Sequence, residues 1–230
     1  MSRYGYFHCT VFLFILVLFA GSTSFAAIIP QIKNFNGTPD FGEMFTFDQF
    51  DSGLGTLDSI EIILTLNTSD GTFKADNDSS KLCSGNVKFG SQGTLYSLDV
   101  VLLNDSFINP WSDAKSYTSK SFNLGIENGD GAMFDTTEPD GYEFTVNSSL
   151  VKSDFIKSQF HSGFIGNSTF EIFLDLNQYI QICGLGGVQF SADPVTASGS
   201  VEIKYSYTIP EPSTVLLFSL CGLAFFKRRK

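Results

Sequence analysis

The residues able to do acid–base or nucleophilic chemistry are few. His8 lies in an apolar leader, so His161 is the one histidine left to the rest of the chain. A Ser-His-Asp arrangement would have to use it, but no Gly-x-Ser-x-Gly elbow supplies the nucleophile. Beside Phe160 and Ser162, His161 reads as a surface or strand residue. Zinc is disfavoured because neither Cys-x-x-Cys nor His-Glu-x-x-His occurs. Paired carboxylates suffice for glycoside hydrolysis, but with 24 acids such pairs arise by chance and identify nothing.

Oxygen-rich turns are the remaining chemistry. Asp70, Asp76, Asn77 and Asp78 form one group, and Asn128, Asp130 and Asp135 form another. Calcium takes six to eight oxygen ligands, so calcium is the one cofactor these loops would suit, with Asp70, Asp76, Asp78 and Asp130 as candidates. Neither loop follows the EF-hand order, and acidic turns are ordinarily just solvated. No cofactor is otherwise expected.

The elements that position these residues are bounded by two processing segments. Arg3 precedes an apolar run, Val11–Ala20, and small residues follow it. Ser24 and Ala26 satisfy the small −3 and −1 positions of signal peptidase, which places the cut between Ala26 and Ala27. The organisation expected is therefore a signal peptide over 1–26, an exported domain over 27–208 and a C-terminal segment over 209–230. Between Ala27 and Glu211 lie nine lysines and no arginine against all 24 acids, a net charge near −15. Such a surface repels nucleic acid and anionic lipid, so a nucleic-acid partner is not expected. Cys9 and Cys221 fall in the terminal segments. Cys83 and Cys183 either pair in an oxidising compartment, closing a loop of about 100 residues, or remain two buried thiols.

Apolar residues recur at every second position in Ile60–Leu66, Thr169–Leu176 and Ser200–Thr208, the mark of strands with one buried face. Weaker strand patterns occur at Asn86–Phe89, Leu95–Leu103, Lys120–Leu124, Tyr142–Val146 and Gln178–Cys183. Ser69-Asp70-Gly71, Gly90-Ser91-Gln92-Gly93, Asn128–Gly131, Asp140-Gly141 and Gly184–Gly187 read as chain reversals. Short strands, frequent turns and 25 phenylalanines predict an all-β domain, an antiparallel β-sandwich or jelly roll. It would be flanked by an N-terminal signal helix and a C-terminal membrane helix.

The C-terminal segment has three parts. Pro210, Glu211, Pro212, Ser213 and Thr214 break the last strand and keep the peptide extended. Val215 to Phe226 is apolar and as a helix would span about 18 Å, against a bilayer core of about 30 Å. Lys227, Arg228, Arg229 and Lys230 would stay cytoplasmic by the positive-inside rule. This order resembles the PEP-CTERM sorting signal of Gram-negative bacteria. The resemblance implies recognition by exosortase, a membrane cysteine transpeptidase, and an association with exopolysaccharide and biofilm. It also implies a cell-envelope or extracellular location after transient residence in the inner membrane. A second resemblance lies in the domain. Gln49–Ile60 and Gly199–Tyr207 are similar to the opening and closing segments of the choice-of-anchor E family, which implies no catalytic residues. The function expected is a non-enzymatic, structural or adhesive surface protein. The alternative is a carbohydrate-binding or glycan-processing module of the matrix.

Overall fold

The period-two pattern at Ile60–Leu66 belongs to a longer strand. In the computed structural model, which describes residues 25–129, 133–184 and 187–209, nine strands follow one another: β1 (Phe25–Gly37), β2 (Phe41–Asp48), β3 (Thr56–Asp76), β4 (Cys83–Tyr96), β5 (Ala114–Leu124), β6 (Gly141–Phe155), β7 (Thr169–Cys183), β8 (Gln189–Ala192) and β9 (Thr196–Ile209). A short 3-10 helix, Ser158–Phe164, joins β6 to β7. Among the described residues no helix is long and apolar enough to cross a membrane. The expected signal helix and membrane helix lie outside the described residues, apart from Phe25, Ala26 and Ile209.

All strand ladders are antiparallel. The first sheet has the order β1-β9-β3-β6, with β8 pairing the far end of β3; the second has the order β2-β7-β4-β5. Ile60, Ile62, Leu64 and Leu66 project from β3 and are fully buried, and Val201, Ile203 and Tyr205 of β9 lie beside them. Phe170, Ile172, Leu174 and Leu176 of β7, with Phe45 and Phe47 of β2, meet them from the second sheet. Each such side chain contributes roughly 1.5–3 kcal/mol when fully buried. A second apolar cluster sits at the other end of the layers, around Phe73, Phe89, Phe122 and Val146.

Between the two clusters the inward positions turn polar on four strands at once. Thr68, Ser91 and Ser116 are buried there, and Ser116 Oγ lies 2.9 Å from Ser148 Oγ. A hydroxyl in an apolar layer is tolerated only when bonded. These hydroxyls satisfy one another across the gap between the sheets.

Several expectations need correction. Ser69-Asp70-Gly71 does not reverse the chain: it is an irregularity inside β3, where the β6 register shifts between Ser69 and Thr72 and Asp70 takes a φ of 68°. Gly90-Ser91-Gln92-Gly93 lies in the middle of β4. A side chain at Gly90 would place its Cβ 2.1 Å from the Ser116 carbonyl oxygen, so glycine here serves close strand approach and not a turn. Leu95–Leu103 is a strand only to Tyr96. Beyond it, Ser97 Oγ accepts from the Asp99 and Val100 N–H groups and donates to the Glu171 carbonyl, which curls the chain.

Candidate functional site

β9 leads directly to the C-terminal segment. It is hydrogen-bonded to β1 on one side and to β3 on the other along its length. Its last residues are well fixed: Thr208 Oγ1 donates to Asp58 Oδ2 at 2.7 Å, and the buried Tyr205 hydroxyl donates to the Asp48 carbonyl at 3.0 Å. Burial pushes the Tyr205 phenol far above its ordinary range, so this hydroxyl is a permanent donor. Ala26 faces Thr208, Ala27 faces Tyr207 and Phe25 faces Ile209. The expected cleavage bond, Ala26–Ala27, is therefore a cross-strand neighbour of the point where the C-terminal segment begins. Pro210–Thr214, Val215–Phe226 and Lys227–Lys230 lie outside the described residues.

The described members of the two oxygen-rich loops, read separately in the sequence, converge, apart from Asp70. Asp76 ends β3, Asn77 and Asp78 follow it, and Asp135 and Asp140 approach them from the segment before β6. Asp76 Oδ2 accepts the Asp135 N–H at 2.9 Å, and Asn77 N–H donates to the Asp140 carbonyl at 3.2 Å. Asp140 accepts from the Asn128 backbone and side chain at 2.7 and 3.0 Å. Burial pushes the Asp76 carboxyl up, opposed by the Asp135 N–H, while the like charges of Asp78, Asp140 and Asp135 push it further up. Asp135 is held low by its hydrogen bonds from Thr137. Asp70 sits apart in the β3 irregularity, bonded to Ser69 Oγ at 2.7 Å, and Asp130 lies outside the described residues. Among the described residues, no group of three or more histidine, cysteine or carboxylate side chains is arranged to hold a metal ion. The junction ties two loops together through hydrogen bonds.

His161 lies in the 3-10 helix, with Nε2 3.0 Å from the Ile156 carbonyl oxygen. Of the two alternatives for Cys83 and Cys183, a pair or two buried thiols, the structure has free thiols, only one of them buried. Cys83 is buried, and its Sγ donates to the Gly184 carbonyl at 3.3 Å. Cys183 is exposed and sits opposite Asn86 on the neighbouring strand. Strand side chains alternate between faces, so the two sulfurs point to opposite sides of the sheet and cannot meet without backbone movement.

One further grouping is marked by no motif. On the outer face of the second sheet, Tyr117 of β5 and Tyr179 of β7 both lie opposite Gly90 of β4. Their ring centroids are 5.5 Å apart. The only sequence signal is the alternation Asn177, Tyr179, Gln181, which reads as an ordinary solvent face.

Comparison with known proteins bears on the end of the chain. Residues 208–230 match the PEP-CTERM protein-sorting motif. The sorting motif thus begins at the last residues of β9. It points to export by exosortase-type sorting, with exosortase as the partner that reads such motifs, and to delivery to the cell-envelope surface. No curated protein matches the chain. Among solved structures, dimeric latent PorU from Porphyromonas gingivalis is 8% identical with a TM-score of 0.26, over 82% of this chain and 14% of that one. Desmodium yellow mottle tymovirus is 8% identical with a TM-score of 0.18, over 84% and 87%. The infectious bursal disease virus VP2 subviral particle is 9% identical with a TM-score of 0.17, over 81% and 43%. Likenesses this distant carry no argument about function.

Proposed function

We propose that this chain is a non-enzymatic surface or matrix protein of a Gram-negative bacterium, exported through its leader and released or transferred by exosortase at the sorting motif. Before that step its apolar tail holds it in the inner membrane. Its role is structural or adhesive, in an exopolysaccharide-rich matrix or biofilm. One observation carries the reading: the sorting motif takes over at the residues where β9 ends. A processing enzyme needs an extended peptide, and a Pro-Glu-Pro sequence disfavours both a helix and a strand ladder. With β8 set aside as an accessory to β3, the strand orders support a jelly-roll reading, and domain termini ordinarily lie at the surface. The segments that resemble the choice-of-anchor E family fit the same reading. Gln49–Ile60 leads into β3, and Gly199–Tyr207 lies in β9 beside it.

Deleting Val215–Lys230 tests the proposal. The truncated protein should keep its fold, judged by its cooperative unfolding, yet fail to reach the cell envelope. The full-length protein should mislocalise in the same way in a strain lacking exosortase. Unchanged delivery in that strain would sink the sorting claim.

A further inference from the structure

We infer that the outer face of the second sheet, centred on Gly90, is a binding site for an acidic polysaccharide. Three strands in register build it. Ser119, Lys88 and Gln181 form one row; Tyr117, Gly90 and Tyr179 the next; Lys115, Gln92 and Asn177 the third. With strands about 4.8 Å apart and alternate residues about 6.8 Å apart, the grid is roughly 10 Å by 14 Å.

Its composition is opposite to that of the protein around it. The chain from Ala27 to Glu211 carries a net charge near −15, yet these nine positions hold two lysines and no carboxylate. Each lysine is set by a ring: Lys115 Nζ is 4.7 Å from the Tyr179 centroid and Lys88 Nζ is 5.4 Å from that of Tyr117. Such contacts hold the ammonium groups over the rings. Lys115 Nζ also donates to Asp113 Oδ2 at 2.9 Å in an exposed ion pair at the border of the grid, where Asp175 of β7 stands as well. Of the two lysines, only Lys88 is thus without an ion pair among the described residues. Gly90 leaves room for the two tyrosines to lean together, and the Tyr179 hydroxyl donates to Gln181 Oε1 at 2.8 Å.

The chemistry of the grid selects its occupant. Tyrosine rings offer apolar faces with a polar edge, matching a sugar ring that is apolar on one face and hydroxylated at its rim. Gln92, Asn177 and Gln181 carry both donors and acceptors, as sugar hydroxyls require. The lysines add attraction for carboxylates spaced along the polymer. Amides and tyrosine edges that match sugar hydroxyls favour a polysaccharide, and nucleic acid is left to the oligo-dT arm of the test. The site is independent of sorting, since it would bind whether or not the chain reached its destination.

The test uses the full chain in mild detergent, with EDTA to prevent divalent cations from bridging polymer to acidic surfaces. Polygalacturonate is the probe, and dextran and oligo-dT are the comparators. Wild-type protein should bind polygalacturonate, and binding should weaken as salt rises. Lys88→Gln/Lys115→Gln, a surface change, should weaken it about tenfold or more. Tyr179→Ala should do the same, whereas Tyr96→Ala, six residues along β4 and stacked on Phe173, should leave it unchanged. Absence of polygalacturonate binding, equal binding of dextran or oligo-dT, or indifference to the lysine pair would each overturn the inference. The lysine variant does not touch the core, so it decides the matter even if Tyr179→Ala folds poorly.

Discussion

Thr68 Oγ1 of β3 and Ser91 Oγ of β4 lie 2.5 Å apart, a hydroxyl of one sheet bonded to a hydroxyl of the other in a place closed to solvent. Thr68 Oγ1 also reaches the Ser116 carbonyl at 3.3 Å. Leu66 lies on one side of this contact and Phe73 on the other, in separate apolar clusters. Apolar packing is non-directional, but a hydroxyl pair has a fixed partner. This contact therefore sets how the sheets are aligned.

Thr68→Val keeps the shape and removes the hydroxyl, leaving Ser91 without this partner. The expected cost is about 1–3 kcal/mol in urea unfolding. The double variant Thr68→Val/Ser91→Ala should lose less than the sum of the single changes. Strict additivity would show that the two hydroxyls act independently.

Gly199 of β9 lies opposite Leu66 of β3. A Cβ there would lie 1.9 Å from the Thr65 carbonyl oxygen and 2.9 Å from Phe35 Cζ. Gly199→Ala must push backbone apart, so a loss of about 1–3 kcal/mol or more is expected. A midpoint of chemical unfolding equal to wild type would contradict the close approach.

Asp76 holds its proton more tightly folded than unfolded, because burial and three neighbouring carboxylates raise its pKa. A group of this kind favours folding below its unfolded pKa, and the advantage disappears as pH rises through the folded value. Asp76→Asn retains an oxygen for the Asp135 N–H and removes the ionisation. Its Tm should exceed that of wild type at pH 7, and the difference should shrink as the pH is lowered towards 3. A variant less stable at pH 7 would show that the carboxylate is needed as such.

The cysteines should behave as two different thiols. Cys183 should react quickly with a maleimide in the native state, and Cys83 only after unfolding. Oxidation of the folded protein should yield no intramolecular link by mass analysis under non-reducing conditions. A bridged species formed without unfolding would require the strand ends to rearrange.

How much of this could be read from the chain depends on whether a strand has one wet face. β3, β7 and β9 do, and their alternation is plain from Ile60, Phe170 and Val201 onward. β1 is an edge strand with Ile28 and Ile32 exposed on its outer side and Ile29 half-buried within, so apolar residues fall on both faces and the period is lost. Leu98 misleads in the opposite sense: it belongs to an apolar run, yet it is 86% exposed in a loop. Small polar residues in the middle of β4 resemble a turn because sequence cannot distinguish a glycine that bends the chain from one that lets strands close up. The two acidic loops are each visible, but their convergence depends on the pairing of β3 with β6, a relation between distant residues. The sorting motif is legible because the match over residues 208–230 rests on the order of neighbouring residues and not on pairing between distant ones.

The place of β9 also determines how the molecule would bear tension. A pull on Ile209 along the strand axis, resisted by the body of the domain, loads the bonds to β1 and β3 in shear, so many must fail together. A pull between Ile209 and the start of β1 acts at adjacent ends of one antiparallel pair, and there the strands peel one bond at a time. A tether at the C-terminal end is strong against drag on the body and weak against drag on the N-terminal tip.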